Sequence, residues 1–180
     1  MVIRYILAFV AAIMFSVIGC GFKIDNSLSF DQQREYVWQV PNGFPIPLVP
    51  ADNPMADNKV ELGRQLFYDS RLSGDGSVSC AFCHQPSLAF TDGRSRAVGI
   101  QGNIHPRSAM SLANVAYNAT FGWDDPSLTR LEDQMLIPLY NTQPPEMGAA
   151  GREAEILSRL KKDRDLRLLF HRAFSDDKYP

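Results

Sequence analysis

Cysteine is scarce: three residues in a chain of 180 cannot build a disulfide framework, since at most two of them pair. Charge of one sign is concentrated nowhere. With 18 Lys and Arg against 20 Asp and Glu, the formal net charge is −2. Without a basic stripe there is no electrostatic footprint for nucleic acid. Glycine and proline, 12 of each, stand close to average usage, so the chain is not low in complexity. Long apolar runs are lacking too. The apolar run near the start, Tyr5 to Ile18, covers about 14 residues, short of the ~20 that a membrane-crossing helix needs. What is present is 45% hydrophobic and 21% charged residue, the balance of a single globular domain.

The start of the chain decides the compartment. Arg4, the apolar run and the small Gly19 together have the form of a secretory signal over residues 1–19. Val17-Ile18-Gly19-Cys20 resembles the lipobox of bacterial lipoproteins, in which the cysteine is acylated and becomes the first mature residue. The alternative is an ordinary signal peptide in which Cys20 is incidental. Gly21, not Asp, follows Cys20; the resemblance to Gram-negative lipoproteins then implies anchoring at the outer membrane, facing the periplasm. Residues 20–37 read as a tether and 38–180 as the body.

Pro41, Pro45, Pro47, Pro50 and Pro54 each remove a backbone donor, so no regular helix runs through that stretch. From Asp57 the pattern predicts a helix with Val60, Gly63, Leu66 and Phe67 on one face, the glycine allowing close approach of another helix. Leu72 to Ser79, with Gly74 and Gly76, reads as a loop. Short helices are expected around Ser111–Val115 and Leu128–Leu136. Ile156, Leu157 and Leu160 form one amphipathic stripe, and Leu166, Leu169, Phe170, Ala173 and Phe174 another. No alternating strand stands out. The expectation is a mainly α domain with long ordered loops.

The strongest chemistry is Cys80-Ala81-Phe82-Cys83-His84. Cys-x-x-Cys-His is the attachment signature of c-type haem. Its spacing puts two thiols on one helical turn, each able to add to a vinyl group, and the histidine supplies the proximal ligand to the iron. A zinc site would need further ligands, and only His105 and His171 remain as histidines. A thioredoxin-like pair would need a βαβ setting. The distal side separates a carrier from an enzyme. A carrier needs a sixth ligand, for which His105, Met110, Met135, Met147 and His171 are candidates. A peroxidase needs an open position and a nearby base, for which Glu132, Asp133 and Glu146 are candidates. Spacing alone leaves both readings open.

Glu61-Leu62-Gly63-Arg64-Gln65-Leu66-Phe67-Tyr68-Asp69 leads into Arg71-Leu72-Ser73-Gly74-Asp75-Gly76 ahead of the haem signature. Phe90-Thr91-Asp92-Gly93-Arg94 follows, then Pro106-Arg107-Ser108-Ala109, Leu112-Ala113-Asn114-Val115-Ala116-Tyr117-Asn118, Trp123-Asp124, Gln134, Pro138 and Glu146-Met147-Gly148. In this order the segments resemble the N-terminal haem domain of bacterial di-haem cytochrome c peroxidases and the related MauG enzymes. Trp38-x-x-Pro41-x-Gly43-Phe44-Pro45 and His105-Pro106-Arg107 look closest to the MauG-like branch that includes MbnH. The resemblance implies a cytochrome c-like domain holding one covalent haem c on Cys80, Cys83 and His84. It implies Glu146 as the distal glutamate that shuttles the peroxide proton, Gln134 as a hydrogen-bonding partner in the pocket, and Trp123 on the electron path. The implied substrate is hydrogen peroxide, with electrons from a small redox protein; the alternatives are oxidation of Trp or Tyr on a partner protein, or a mono-haem electron carrier with Met135 or Met147 as sixth ligand.

Two departures from the family pattern matter. Where many of these peroxidases carry a displaceable histidine ligand, this chain has Ile100, so the distal position is expected to be open unless His105 reaches in. A bond from His105 to a propionate or backbone group is the favoured reading. Ser108 stands where asparagine usually lies beside a calcium ion, and a hydroxyl is the poorer ligand, which puts calcium in doubt. The family's second Cys-x-x-Cys-His is expected on another chain or in a missing segment, since only one such motif occurs here.

Overall fold

The computed structural model describes residues 35–174; the signal, Cys20 and most of the tether lie outside them. Five helices are described: α1 (Asp57–Tyr68), α2 (Cys80–Cys83), α3 (Leu131–Tyr140), α4 (Glu153–Lys161) and α5 (Arg164–Ala173). Single 3-10 turns occur at Ser70–Leu72, Pro86–Leu88 and Val115–Tyr117. Among the described residues strand pairing is limited to isolated bridges, one of which, Val98 to Ile104, closes a hairpin. The domain is mainly α, as expected. No described helix is long and apolar enough to cross a membrane.

The core forms where the last two helices meet the first. Leu166 and Ala173 of α5, Ile156 and Leu160 of α4, Leu62 of α1 and Ala149 make one buried cluster. Leu166, Leu169, Phe170 and Ala173 recur at helical spacing, so α5 presents a continuous stripe to it. Each large side chain buried in this way contributes about 1.5–3 kcal/mol. Asp163 caps α5 by accepting from the Asp165 and Leu166 amides. Its carboxylate also meets Arg71 at 3.0 Å, and Arg71 grips Asp69 as well, which ties the turn after α1 to the start of α5.

Three details differ from the expected pattern. In α1 the buried side chain is Leu62, with Leu66 packed beside the core, whereas Gly63 is exposed and a methyl there would meet nothing within 4 Å. In α4 Leu157 is exposed while Ile156 and Leu160 go inside, because residues i and i+4 share a face and i+1 does not. The helix expected around Ser111–Val115 is only the turn at Val115–Tyr117, and the one expected at Leu128–Leu136 starts at Leu131 and runs on to Tyr140 through Pro138.

The loop before the Cys-x-x-Cys-His segment is held by arginines from across the core. Arg159 donates to the Ser73 and Gly74 carbonyls at 2.9 and 2.8 Å, and Arg152 donates to Gly74 at 2.9 Å. The Gly74 amide donates in turn to the Met147 carbonyl at 2.7 Å. A Cβ on Gly74 would fall 2.1 Å from the Gly148 carbonyl oxygen, a backbone atom that cannot swing away. Gly74→Ala is therefore expected to lower stability by about 1–3 kcal/mol or more, read as a fall in thermal midpoint, with Gly63→Ala as the neutral comparison.

Candidate active site

Helix α2 is a single turn, with the His84 amide donating to the Cys80 carbonyl at 3.0 Å, so both thiols and the imidazole leave one compact piece of backbone. Cys80 and Cys83 are half-buried and unpaired with each other. Burial, with Asp92 and Glu146 adding to it, pushes the Cys83 thiol up to about 11; burial raises Cys80 too. These are neutral thiols, unlike the low-pKa thiolates of redox-active pairs. After His84 the chain folds back: Gln85 bonds the Thr91 carbonyl at 3.0 Å, and Ala89 and Phe90 take left-handed backbone angles, φ 53° and 59°. This turns the Phe90 carbonyl onto His84 Nδ1 at 3.0 Å. A carbonyl only accepts, so Nδ1 carries the proton and Nε2 keeps its lone pair for a metal. No feature of the sequence announced the Phe90 carbonyl, because neither Ala nor Phe favours that backbone region.

Cys83 and His84 open onto a cleft of about 460 Å³, within the usual range of cofactor-sized pockets. Gln134 of α3, Trp123 and Glu146 line the same cleft, as do His105 and Met110. The other candidate sixth ligands, Met135, Met147 and His171, are not on its wall; Met147 is buried elsewhere and Met135 is half exposed on the outside of α3. Of the candidate bases, Glu132 accepts from Asn53 at 2.9 Å and Asp133 is exposed, and neither lines the cleft. The sequence candidates thus narrow to Glu146.

Backbone bonds pin Glu146 from several sides. Its carbonyl accepts from the Ile100 amide at 2.8 Å, while the Met147 and Ala149 amides donate to the Pro138 and Leu139 carbonyls, each at 2.9 Å. Those carbonyls lie at the end of α3, where no further turn of helix takes them. The carboxyl itself is about one-third exposed, and burial raises its pKa above the ordinary value, opposed by His105 and then His84. Two other carboxylates on the cleft are already engaged: Asp124 pairs with Arg107 at 2.7 Å, and Asp125 is held low by Ser127. Glu146 is the cleft carboxyl that burial raises.

His105 is buried at 6% exposure, and its Nδ1 lies 3.7 Å from Glu146 Oε1. Its ring makes no bond to a backbone group of the kind expected: Nε2 has no partner and Nδ1 faces Glu146. Trp123 is half exposed at the cleft mouth, its indole donating to the Ser108 carbonyl at 3.2 Å and the Arg107 guanidinium lying over its ring at 5.8 Å. Ile100 packs toward Gly148.

The sequence profile of a family described as di-haem cytochrome c peroxidase matches residues 57–179. A cytochrome-c peroxidase of Denitromonas iodatirespirans is 49% identical over 90 residues, which cover 50% of this chain and 23% of the relative. The methylamine utilization protein MauG of Methylorubrum extorquens is 41% identical over 128 residues, 71% of this chain and 35% of MauG. The crystal structure of a MauG-like protein associated with microbial copper homeostasis superposes with a TM-score of 0.77 at 45% identity, covering 80% of this chain and 42% of that one. The chain therefore spans well under half the length of these relatives.

Proposed function

The chain belongs to the di-haem cytochrome c peroxidase family, and from that premise we propose that residues 38–180 form its peroxide-reacting haem domain. The donor set fits a c-type haem. Two neutral thiols one helical turn apart suit thioether attachment, and His84 Nε2 is left free by the Phe90 carbonyl. The haem, when bound, would supply the iron at which hydrogen peroxide is held and reduced. The carrying observation is that His84 and the raised carboxyl of Glu146 share one cleft.

In this reading Glu146 removes a proton from the oxygen that stays and returns it to the oxygen that leaves. The O–O bond breaks, two electrons and two further protons enter, and two waters form. Gln134 orients the peroxide by hydrogen bonding, and Trp123 at the cleft mouth carries electrons inward. Those electrons come from a small redox protein by way of a second haem domain of the kind the family's name implies. The test is the ferric spectrum of the holoprotein followed by mixing with peroxide. A high-spin resting state that reacts with peroxide is expected. A low-spin methionine or histidine signature, inert to peroxide, would make the domain an electron carrier instead.

A second reading, oxidation of Trp or Tyr on a partner protein, draws support from Ile100, which cannot ligate iron and leaves the distal position without a displaceable ligand. Partner residues gaining oxygen or losing hydrogen in the presence of peroxide, without an added reductant, would favour it. For location, the lipobox at Cys20 supports an acylated N-terminus that tethers the domain to the outer membrane on its periplasmic side. Cys20→Ser is expected to move the protein out of the membrane fraction or to block its processing, as read by fractionation and mass spectrometry of the N-terminus.

A further inference from the structure

His105 is the one buried ring of the cleft whose polar atoms the proposed mechanism does not use. It sits on the hairpin closed by Val98 and Ile104, held by its own amide to Ala97 and by Arg96 Nε donating to its carbonyl at 2.9 Å. Its two nitrogens face different surroundings. Nδ1 lies 3.7 Å from Glu146 Oε1. Nε2 has no hydrogen-bond partner and is turned against the backbone of Gly99, where an added methyl would stand 3.1 Å from it. The same methyl would lie 2.0 Å from the Pro145 carbonyl oxygen. Glycine at 99 is thus what lets the hairpin, the imidazole and the Pro145–Glu146 backbone close on one another. The Ile100 amide bond to the Glu146 carbonyl fixes the same junction from the other side.

We propose that His105 is a positioning residue for Glu146: wedged against Gly99, the ring directs Nδ1–H at the Glu146 carboxylate and holds it at the cleft wall. A carboxylate on a rotatable side chain needs such a partner to stay aimed at a small substrate, and a misplacement of about 1 Å in such a group costs up to ~10²-fold in rate. The geometry also speaks against His105 as an iron ligand. Its free nitrogen faces Gly99, which does not line the cleft, while Nδ1 faces Glu146. This role rests on the reading of Glu146 as the proton carrier, and the test separates the two.

Carbon monoxide bound to the reduced holoprotein serves as the probe, because its infrared stretching band responds to charges and dipoles on the distal side and needs no turnover. The variants are His105→Leu, His105→Gln, Glu146→Gln and the His105→Leu/Glu146→Gln double variant. With His105 holding the carboxyl, His105→Leu shifts or splits the band, and His105→Gln, which keeps an amide donor, restores a single band. The Leu substitution then adds nothing in the Glu146→Gln background, the non-additivity expected of two groups that act as one. The peroxide reaction should slow by up to ~10²-fold in His105→Leu and recover in part in His105→Gln. A band shift of equal size in both backgrounds, or none in either, overturns the proposal. If Glu146→Gln reacts with peroxide at the wild-type rate while the band effects remain non-additive, His105 still positions Glu146 and the proton-carrier reading fails instead. Should the leucine variant not fold, His105→Phe, which keeps a planar ring and removes both nitrogens, gives the same cycle with Glu146→Gln and their double variant.

Discussion

Converting Cys80 and Cys83 together to alanine should leave a protein that retains no haem after denaturation, where the parent matured in the periplasm retains one. The expectation rests on three features of the α2 turn. Both thiols leave the two ends of one helical turn, they are not bonded to each other, and burial keeps them protonated, Cys83 up to about 11. Addition to a vinyl group keeps each sulfur neutral, which suits a half-buried place better than a thiolate does. His84→Ala should behave differently, keeping the thioether bonds and losing the proximal ligand, so that the mass is retained while the spectrum changes. Intact mass and the alkaline-pyridine spectrum of the denatured protein check the attachment, and the absorption spectrum of the native protein checks the His84 ligand. A protein that instead purified with stoichiometric zinc on the same cysteines would overturn the attachment.

Glu146→Gln should slow the peroxide reaction by about 10²–10⁴-fold, the usual contribution of a positioned acid–base group. Glutamine keeps the size and polarity and removes only the exchangeable proton. The pH profile provides a second reading. Burial raises this carboxyl above its ordinary value, with His105 and His84 pulling it back in part. The base form is needed, so the acid limb of the wild-type profile should lie above the ordinary carboxylate range and vanish in the variant. Stability follows with the opposite preference. A carboxyl whose pKa is higher in the folded state favours folding while protonated, and that contribution is lost as pH rises through the folded value. The glutamine variant should therefore match wild type near pH 4 and melt at the same or a higher temperature at neutral pH. Stopped-flow mixing with peroxide and thermal melts at both pH values check this; equal rates would remove Glu146 from the mechanism.

Local features were the legible ones. The Cys-x-x-Cys-His segment needs only a single helical turn to bring its three side chains together, and the α5 stripe of Leu166, Leu169, Phe170 and Ala173 follows from helical spacing alone. The family pattern pointed to Glu146, Gln134 and Trp123, and all three line one cleft with His84. Features made by distant chain segments were hidden. Which face of α1 is buried is decided by the last two helices, so Leu62 takes the place that the local pattern gave to Gly63. The approach of His105 to Glu146 depends on the hairpin meeting the Pro145 backbone, and the Phe90 carbonyl reaches His84 through two left-handed residues that carry no sequence mark.

The amides of Gly74, Ile100, Met147 and Ala149 all lie in one chain of backbone bonds that runs from the arginine-held loop through the Glu146 segment to the last turn of α3. Ala149 is also a member of the buried cluster formed by α1, α4 and α5. Breaking any link of that chain exposes unpaired peptide groups beside the core, so this corner opens only as part of a larger cooperative unit. The carboxylate therefore stands on a fixed floor rather than on a flap. In the proposed reading peroxide would meet a site whose backbone is already built, and the cleft side chains least tied to that backbone are the exposed Trp123, Arg107 and Asp124.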